Sequence, residues 1–402
     1  MREKTNFLVF GQPLIEEPEI AEVVSSLRAA WLGTGPKVSH FEELVREYKG
    51  VKHAIAVSSC TAGLHLGCIA LDLQPGDEVI TTPLTFCATV NAIIHAGGTP
   101  VLADIDPETL NIKPEEICKK INSRTKALLP VHFAGRPCEM SEIMALAQQH
   151  GLRVIEDCAH AIETVYHGSH AGTFGDCGVL SFYSTKNVTT GEGGMVLTND
   201  DSLAAWFRLM SQQGVTTNAW QRLSGGNYRH YDVAEIGFKY NMMDLQAAIG
   251  IHQLKRVEKC WKRRQEIWNR YTQAFDDLPI QLPSEPSSET RHALHLYTIL
   301  IDKKTCSVSR DEFLVRLHHD NIGVGVHYRQ IADHSAYRRR FGWRPEQWPN
   351  AEKVSQQTVS LPLSPKLSDG DVHDVIDSVR KALKPRRPRR SSYVTVLNSE
   401  GQ

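Results

Sequence analysis

Short apolar runs alternate with helical patterns through the first half of the chain. Between these runs, apolar residues recur at three- and four-residue spacing, which is typical of amphipathic helices. This alternation predicts a doubly wound α/β domain, with a mostly parallel sheet and helices on both faces. We expect the strands at residues 54–59, 78–82, 100–104, 127–132, 153–157, 177–183 and 194–198.

Helical patterns flank the sheet region and divide the chain into parts. Two amphipathic helices are predicted before the sheet, at 17–31 and 39–49, and one long helical stretch after it, at 243–275. The polar segment 211–238 between sheet and helix is long for a loop, which favours a binding or partner-contacting role. The predicted parts are an N-terminal helical segment (1–50), the large α/β domain (51–242) and a linking helix segment (243–282).

A smaller α+β domain is predicted for residues 283–384. Its expected strands are at 294–301 and 323–327, and its expected helices are at 310–319 and 372–383. The remaining tail, 385–402, is basic and rich in proline, a composition that predicts a solvated disordered segment.

Composition excludes several classes of function. The 402 residues carry 45 Lys and Arg against 46 Asp and Glu, so a net charge of −1 offers no global field for nucleic acid or an anionic membrane. No apolar run reaches the roughly 18 residues of a membrane span, and the first residues lack a signal-peptide pattern, so a cytoplasmic location is expected. The nine cysteines are scattered without C-x-x-C spacing, which indicates neither a metal site nor a disulfide framework.

One lysine stands between two predicted core strands. Residues 181–198, SFYSTKNVTTGEGGMVLT, combine a strand, a polar loop with Lys186, a glycine turn and a second strand. An amine held in such a loop could act as a Schiff-base nucleophile. The alternative is a surface lysine on a hairpin, and most lysines in such a loop are of this kind.

Three strand ends carry further candidate groups, because ligands of open α/β sheets bind at the carboxyl ends of strands. Ser59 and Thr61 lie at the start of a predicted helix, where free N–H groups bind anions or where a hydroxyl simply caps the helix. Phe86 could cover a planar ring or belong to the core. Asp157, at the end of a buried strand, requires a cation or serves as a helix cap.

Taken together, these groups match what pyridoxal phosphate requires. The helix start and its hydroxyls suit the phosphate, and Phe86 suits the ring. Asp157 could keep the pyridine nitrogen protonated, and Lys186 could form the Schiff base.

With these residues in view, the chain resembles the DegT/StrS family of sugar aminotransferases, which are fold type I pyridoxal phosphate enzymes. The resemblance spans about residues 7–384. The motifs that carry it are TGPKVSHFE (34–42), SSCTAGLHL (58–66), GDEVITTPLTFCATVNAI (76–93), PVHFAG (130–135), VIEDCAHAI (154–162), SFYSTKN (181–187), GEGG (191–194) and GFKYNMMDLQAAI (237–249). Cys60 and Cys158 depart from the small residues common in the family.

The resemblance implies roles for the residues that bind the cofactor. Lys186 would form the Schiff base and later shuttle a proton between substrate and cofactor. Asp157 would pair with the pyridine nitrogen and His160 would lie near the ring hydroxyl. The cofactor contacts implied besides these are Phe86 on the ring, Ser181, Thr61 and Ala62 at the phosphate, and Asn241 from the neighbouring subunit of a homodimer.

The resemblance also implies substrates. Glutamate would be the amino donor and a nucleotide-linked keto sugar the acceptor, with His327 and Tyr328 in the nucleotide-sugar region. The Glu192 loop, RTKALLPVHFAG (124–135) and GVGVHYR (323–329) resemble enzymes that aminate the 4-position of UDP-linked 4-keto sugars, such as the one making UDP-4-amino-4-deoxy-arabinose.

Four alternatives stay open at this point. A regulatory family member could keep the fold without turnover, although Lys186, Asp157 and Asn241 are all present. A dehydratase branch carries histidine in place of the lysine, whereas this chain has Lys186. A 3-aminotransferase of the same fold also stays open, because the Glu192 loop favours the 4-position by analogy only. A general amino-acid aminotransferase would need an arginine for a distal carboxylate, and no arginine stands out.

Overall fold

The structure is a computed structural model and describes residues 7–216, 230–285 and 287–384. The predicted basic tail, 385–402, and the middle of the polar segment 211–238 lie outside the described residues. None of the described helices is both long enough and apolar enough to cross a membrane.

Twelve strands are described. In chain order they are β1 His53–Val57, β2 Glu78–Thr81, β3 Thr99–Leu102, β4 Thr125–Leu129, β5 Arg153–Cys158, β6 Val165–Tyr166, β7 Ser169–His170, β8 Cys177–Ser181, β9 Gly194–Thr198, β10 Thr290–Arg291, β11 Tyr297–Leu300 and β12 Thr358–Leu361.

The described α-helices are, in chain order, α1 Glu17–Arg28, α2 Pro36–Lys49, α3 Cys60–Ile69, α4 Cys87–His95, α5 Pro114–Cys118, α6 Met140–His150, α7 Asp201–Met210, α8 Asp244–Lys255, α9 Val257–Phe275, α10 Lys303–Cys306, α11 Arg310–His319, α12 Ser335–Phe341, α13 Pro349–Gln357 and α14 Asp369–Ala382.

Seven strands form the central sheet in the order β1-β9-β8-β5-β4-β2-β3. The pairs from β8 through β3 are parallel, and β9 is antiparallel to both of its neighbours. β9 runs antiparallel to β8 because the loop that carries the candidate lysine turns the chain straight back beside the strand it has just left. The α/β fold with a mostly parallel sheet is confirmed.

Both faces of this sheet are buried, which explains the continuous apolar runs in the sequence. Successive residues of β1 point to opposite faces, as in any strand. Ala54 and Ala56 pack with α2 and α8, whereas Ile55 and Val57 pack with α3 and α7. The strands are therefore held rigidly, and the loops at their carboxyl ends share one edge.

The first two helices differ slightly from their predicted bounds. The glycine–proline stretch before residue 39 is not all turn, because Pro36 occupies the first position of α2, where a missing N–H costs nothing. The N–H groups of Lys37 and Val38 donate to the carboxylate of Asp244, some 206 residues later in the chain. This distant cap cannot be read from local sequence.

The predicted long helix at 243–275 is two helices, α8 and α9. They meet at Arg256, whose φ of −111° is not helical. The Arg256 guanidinium pairs with Glu16 and Glu19 and binds the Leu14 carbonyl, which ties the break to the N-terminal segment. The single-helix prediction is wrong because the apolar spacing continues across the break.

The small unit consists of the antiparallel pair of β11 with β12 and the helices α9, α11 and α14 that pack with it. Its core contains the large buried rings of Tyr271, Tyr297 and Phe313. The predicted strand at 323–327 is wrong, because only Gly325 makes a bridge there, to Ser360. The sequence patterns also missed α12, α13 and β12.

Candidate active site

A cavity of about 510 Å³ lies at the carboxyl ends of β1, β2, β5 and β8. Its position is the one expected for ligands of an open α/β sheet. The cavity brings together nine of the eleven residues singled out from the sequence, which are Thr61, Phe86, Asp157, His160, Ser181, Lys186, Glu192, His327 and Tyr328.

The N-terminus of α3 forms one end of the cavity. Ser59 caps this helix by accepting a hydrogen bond from the Ala62 N–H at 3.1 Å, so the amide of Ala62 is not free to bind a ligand. Thr61 lines the cavity here, together with Ser181 from the end of β8. A side chain at Gly194 would place its Cβ 2.6 Å from the Cys60 nitrogen, so glycine lets β9 begin directly against this helix start. Hydroxyls at a helix N-terminus form a cradle suited to a phosphate.

Asp157 is buried at the floor of the cavity. One carboxylate oxygen accepts the Thr89 hydroxyl at 2.8 Å and the other accepts the Ala159 N–H at 3.1 Å. Burial raises the pKa of Asp157, and the Ala159 and Thr89 hydrogen bonds and the Lys186 charge oppose the rise only in part. A carboxylate that remains short of positive charge at a cavity floor suits a protonated ring nitrogen.

Lys186 reaches the cavity from the loop that follows β8. Burial lowers the pKa of Lys186 to about 8, against the opposing charges of Cys60 and Asp157. At pH 7 about one-tenth of such an amine is neutral, compared with less than about one-thousandth for an ordinary lysine. The site therefore supplies the unprotonated amine that a nucleophile requires.

His160 is held in one tautomer. Its Nδ1 accepts the Ala134 N–H at 3.1 Å, so the neutral ring carries its proton on Nε2, which lies 3.0 Å from the Tyr328 hydroxyl. Burial lowers the pKa of His160 far below its ordinary value, with contributions from the charges of Lys186 and His327. The imidazole is therefore neutral and presents a defined N–H edge near the cavity.

The cavity wall contains an exposed aromatic side chain. Phe86 is 58% exposed, which contradicts its alternative interpretation as a core residue. Its ring centroid lies 6.2 Å from that of Tyr328. A large apolar ring left uncovered inside a cavity is suited to stacking on a planar ligand.

The residues expected to contact the substrate reach the cavity from two parts of the chain. Glu192 is exposed on the glycine turn, where its backbone carbonyl accepts bonds from Thr190 and Gln246. The Nδ1 of His327 pairs with the Ser360 hydroxyl at 2.8 Å, which fixes its ring on the small unit.

Asn241 lies outside this cavity. Its amide nitrogen donates to the Thr34 hydroxyl at 2.6 Å and its oxygen accepts the Lys239 amine at 2.7 Å. It lines a separate small cleft with Glu42 and Arg208. Asn241 is therefore not among the residues that line the larger cavity.

Sequence reasoning missed several residues of the site. Thr89 holds the Asp157 carboxylate, and its only signal was a hydroxyl in the helix that follows β2. Tyr183 and Thr185, which precede Lys186 in the same loop, also line the cavity. Their place within the noted motif SFYSTKN could have marked them.

Two histidines that the fold holds neutral, His292 and His327, predict sensitivity to acid. Burial lowers the pKa of His292 to about 3, with help from the Arg136 charge, and lowers that of His327 to about 4. Because these folded-state values lie below the unfolded value of about 6.5, their stabilisation is present above pH 6.5 and is lost as the pH falls toward 4 and 3.

His160 and His295 act in the same direction, whereas the raised pKa of Glu163 and of Asp157 acts in the opposite one. Because the histidines outnumber these carboxyls, we expect a smaller free energy of unfolding at pH 5 than at pH 7.5, measured by urea titration. His292→Asn should reduce this difference because it removes one of the titrating groups. The local structure should be kept, because the asparagine oxygen can still accept the Leu294 N–H that Nδ1 of His292 accepts at 2.8 Å. An unchanged pH dependence in this variant would contradict the assignment.

The residues present fit pyridoxal phosphate. The anion cradle, the exposed ring of Phe86, the carboxylate of Asp157 and the amine of Lys186 offer one group for each part of that cofactor. This arrangement, at the carboxyl edge of a mostly parallel sheet, defines a fold type I pyridoxal-phosphate-dependent aminotransferase.

Comparison with known proteins agrees with this class. Residues 13–380 match the model of the DegT/DnrJ/EryC1/StrS aminotransferase family. The spore coat polysaccharide biosynthesis protein SpsC of Bacillus subtilis is 46% identical over 385 residues, which are 96% of this chain and 99% of SpsC.

Solved structures show the same likeness. PseC of Helicobacter pylori, an aminotransferase of pseudoaminic acid biosynthesis, has a TM-score of 0.88 and 29% identity over 94% of this chain and 99% of its own. The PLP form of the putative sugar aminotransferase Spr1654 of Streptococcus pneumoniae has a TM-score of 0.86 and 28% identity over 94% and 99%. DesI with its TDP-sugar product has a TM-score of 0.83 and 31% identity over 94% and 93%.

The chain belongs to the DegT/DnrJ/EryC1/StrS aminotransferase family. The resemblance seen in the sequence motifs is thereby confirmed, and pyridoxal phosphate is the cofactor.

Proposed function

We propose that this protein transfers the amino group of glutamate to a nucleotide-linked keto sugar, at the 4-keto position of a UDP-sugar. The observation that carries the proposal is an amine of lowered pKa, Lys186, in one cavity with a buried carboxylate, Asp157. A sugar acceptor is supported by the similar structure of DesI, which holds its TDP-sugar product, and by SpsC, which takes part in polysaccharide biosynthesis. A role in polysaccharide or amino-sugar synthesis follows.

When bound, pyridoxal phosphate supplies an electron sink for the carbanion next to the substrate nitrogen. Thr61, Ser181 and the start of α3 would hold its phosphate, and Phe86 would cover its ring. Asp157 would keep a proton on the ring nitrogen, because a carboxylate nearby favours the charged form. These residues orient the reacting atoms and exclude water from one face.

Lys186 would act as the general base and general acid. Its lowered pKa of about 8 lies close to neutral pH, where proton transfer in both directions is efficient. The amine would take the proton from the substrate carbon and return it to the neighbouring position. The neutral imidazole of His160 would lie near the ring hydroxyl, with its Nε2–H directed at the Tyr328 hydroxyl.

Two half-reactions provide the test. Mixing the holoenzyme with glutamate in the absence of a sugar should shift the cofactor absorbance in a stopped-flow instrument and release one 2-oxoglutarate per subunit. Adding a panel of UDP- and dTDP-linked keto sugars, including 3-keto and 4-keto forms, should then yield an amino sugar detectable by mass spectrometry. Absence of an absorbance shift with every amino donor would contradict the proposal, and a 3-amino product would contradict the position.

The proposal includes a homodimer with shared active sites. Asn241 does not reach the cavity of its own subunit, and the segment around it exposes apolar side chains. Ile236 is 92% exposed and Val233 is 56% exposed, as expected for a face that a partner covers. A second copy would both cover this face and bring Asn241 to the partner's phosphate site.

Mixed dimers test this sharing. If Asn241 acts in the partner's site, a dimer of one Lys186→Ala subunit and one Asn241→Ala subunit has one intact site. Unfolding and refolding the two variants together should restore about a quarter of wild-type activity, because about half of randomly formed dimers are mixed and each has one working site. Two variants that stay inactive when mixed, although each is dimeric, would place Asn241 elsewhere.

A cytoplasmic location is also part of the proposal. All nine cysteines are free thiols, and seven of them are buried. Free thiols persist in the reducing compartments of the cell. Fractionation of the native host with detection by antibody would test this location, and recovery in a secreted fraction would contradict it.

A further inference from the structure

Asn187, next to the candidate lysine, is buried and bonded through both ends of its amide. The nitrogen lies 3.0 and 2.9 Å from the two carboxylate oxygens of Glu163 and 2.8 Å from the Ala293 carbonyl. The Ala293 carbonyl can only accept a hydrogen bond, so the NH₂ group must face it and the Glu163 carboxyl beside it. The oxygen of the amide therefore faces the other way, toward Nδ1 of His295 at 3.0 Å.

This orientation determines the tautomer of His295. An amide oxygen only accepts hydrogen bonds, so Nδ1 of His295 must carry the proton. Burial lowers the pKa of His295 well below its ordinary value, and the charges of its neighbours lower it further, so the ring is neutral. This ring packs on the ring of His160, with centroids 4.4 Å apart.

The backbone closes the arrangement into a loop of contacts. The His295 N–H donates to the Ala134 carbonyl at 3.0 Å, and the Ala134 N–H donates to Nδ1 of His160 at 3.1 Å. The Asn187 amide is thus connected to the His160 imidazole through His295 on one side. On the other side it is anchored at Glu163, three residues after His160.

Glu163 is fully buried, and the charges that face it come from several elements. Arg264 of α9 and Arg291 of β10 stabilise its carboxylate, and the buried Lys49 of α2 lies close enough to interact with it. Burial outweighs these cations and raises the pKa of Glu163 to about 7. The proposed reaction uses none of these groups, and a buried carboxylate without a catalytic task needs a structural reason.

We propose that Asn187 is a positioning residue. Held by Glu163 and Ala293 and joined to His295, it fixes the backbone next to Lys186 and, through the His295 ring, the ring of His160. Glu163 orients the amide, the amide selects the His295 tautomer, and the His295 ring supports His160. The inference rests on the proposed role of Lys186 and adds the groups that hold it in place.

The test measures how readily Lys186 of the cofactor-free protein reacts with pyridoxal phosphate between pH 6 and 10. The wild type should show a midpoint near pH 8, which reports the pKa of Lys186. Asn187→Ala should loosen the loop and admit water, which raises the midpoint by about one unit and slows attachment at pH 7 about tenfold.

His295→Phe provides a second variant that does not depend on how well Asn187→Ala folds. It retains a ring against His160 but removes the donor to the Asn187 oxygen, so its midpoint should rise as well. His295→Asn places an amide donor near the position of Nδ1 and should stay within about twofold of the wild-type rate.

Thr164→Val is the matched control. Thr164 is fully buried beside Glu163, and its hydroxyl donates to the Gly135 carbonyl at 2.6 Å, outside the contacts of Asn187. It should lose stability but keep the wild-type midpoint. Wild-type midpoints in both Asn187→Ala and His295→Phe, or an equal rise in Thr164→Val, would overturn the proposal. Lys186→Ala should show no attachment; attachment in that variant would contradict the role of Lys186 itself.

Discussion

Replacing Lys186 by alanine should lower turnover by roughly 10⁴-fold or more, the scale expected when a residue that serves as both nucleophile and base is removed. Lys186 is the one lysine that lines the cavity among the residues the structure describes, and its pKa of about 8 suits both tasks. Turnover should be measured as the release of 2-oxoglutarate from glutamate in the presence of the keto sugar that the wild type aminates.

The fold should survive this substitution, because the Lys186 side chain lines the cavity and is not part of the apolar core. Circular dichroism and the thermal midpoint of the cofactor-free protein should stay close to wild type. Lys120→Ala removes an exposed amine and should keep full activity. Turnover of Lys186→Ala within tenfold of wild type would contradict the assignment.

Replacing Asp157 by asparagine should lower turnover by roughly 10²- to 10³-fold, the range found when one group that stabilises charge in a transition state is removed. The amide is nearly isosteric with the carboxylate, but it cannot hold a proton on the ring nitrogen by charge. The loss should appear mainly in kcat, because the phosphate and ring contacts remain.

Stability should respond in the opposite direction to activity. Burial raises the pKa of Asp157 in the cofactor-free protein, so the charged form opposes folding at pH 7 and a neutral amide relieves that opposition. The cofactor-free variant should therefore be as stable as wild type or more stable. Thr89→Val, which removes the hydroxyl bonded to Asp157 and leaves its charge, should cost less activity than Asp157→Asn. The reverse order would contradict the electrostatic role.

The sheet and the centre of the site could be predicted from the sequence for a physical reason. Strands buried on both faces are continuous apolar runs, and their carboxyl ends meet at one edge. Asp157 follows one such run and Lys186 follows another, so their convergence did not depend on loop geometry. The cavity that holds both, together with Phe86, lies at that edge.

The rest depended on contacts between distant parts of the chain. β12 forms by pairing with β11, about 60 residues earlier, and no local turn signal marks it. The hydrogen bond between His160 and Tyr328 spans 168 positions, and the one between Asn187 and His295 spans 108. The break at Arg256 arises from ion pairs with the N-terminal segment. Local periodicity contains no information on such pairs.

The central claim is that Lys186 is the amine that bonds to the cofactor. The most direct measurement is borohydride reduction of the holoenzyme, followed by proteolysis and mass spectrometry of every lysine-containing peptide. We predict one pyridoxyl group per subunit, located on Lys186. A pyridoxyl group on any other lysine, or none on a holoenzyme that transaminates, would contradict the account.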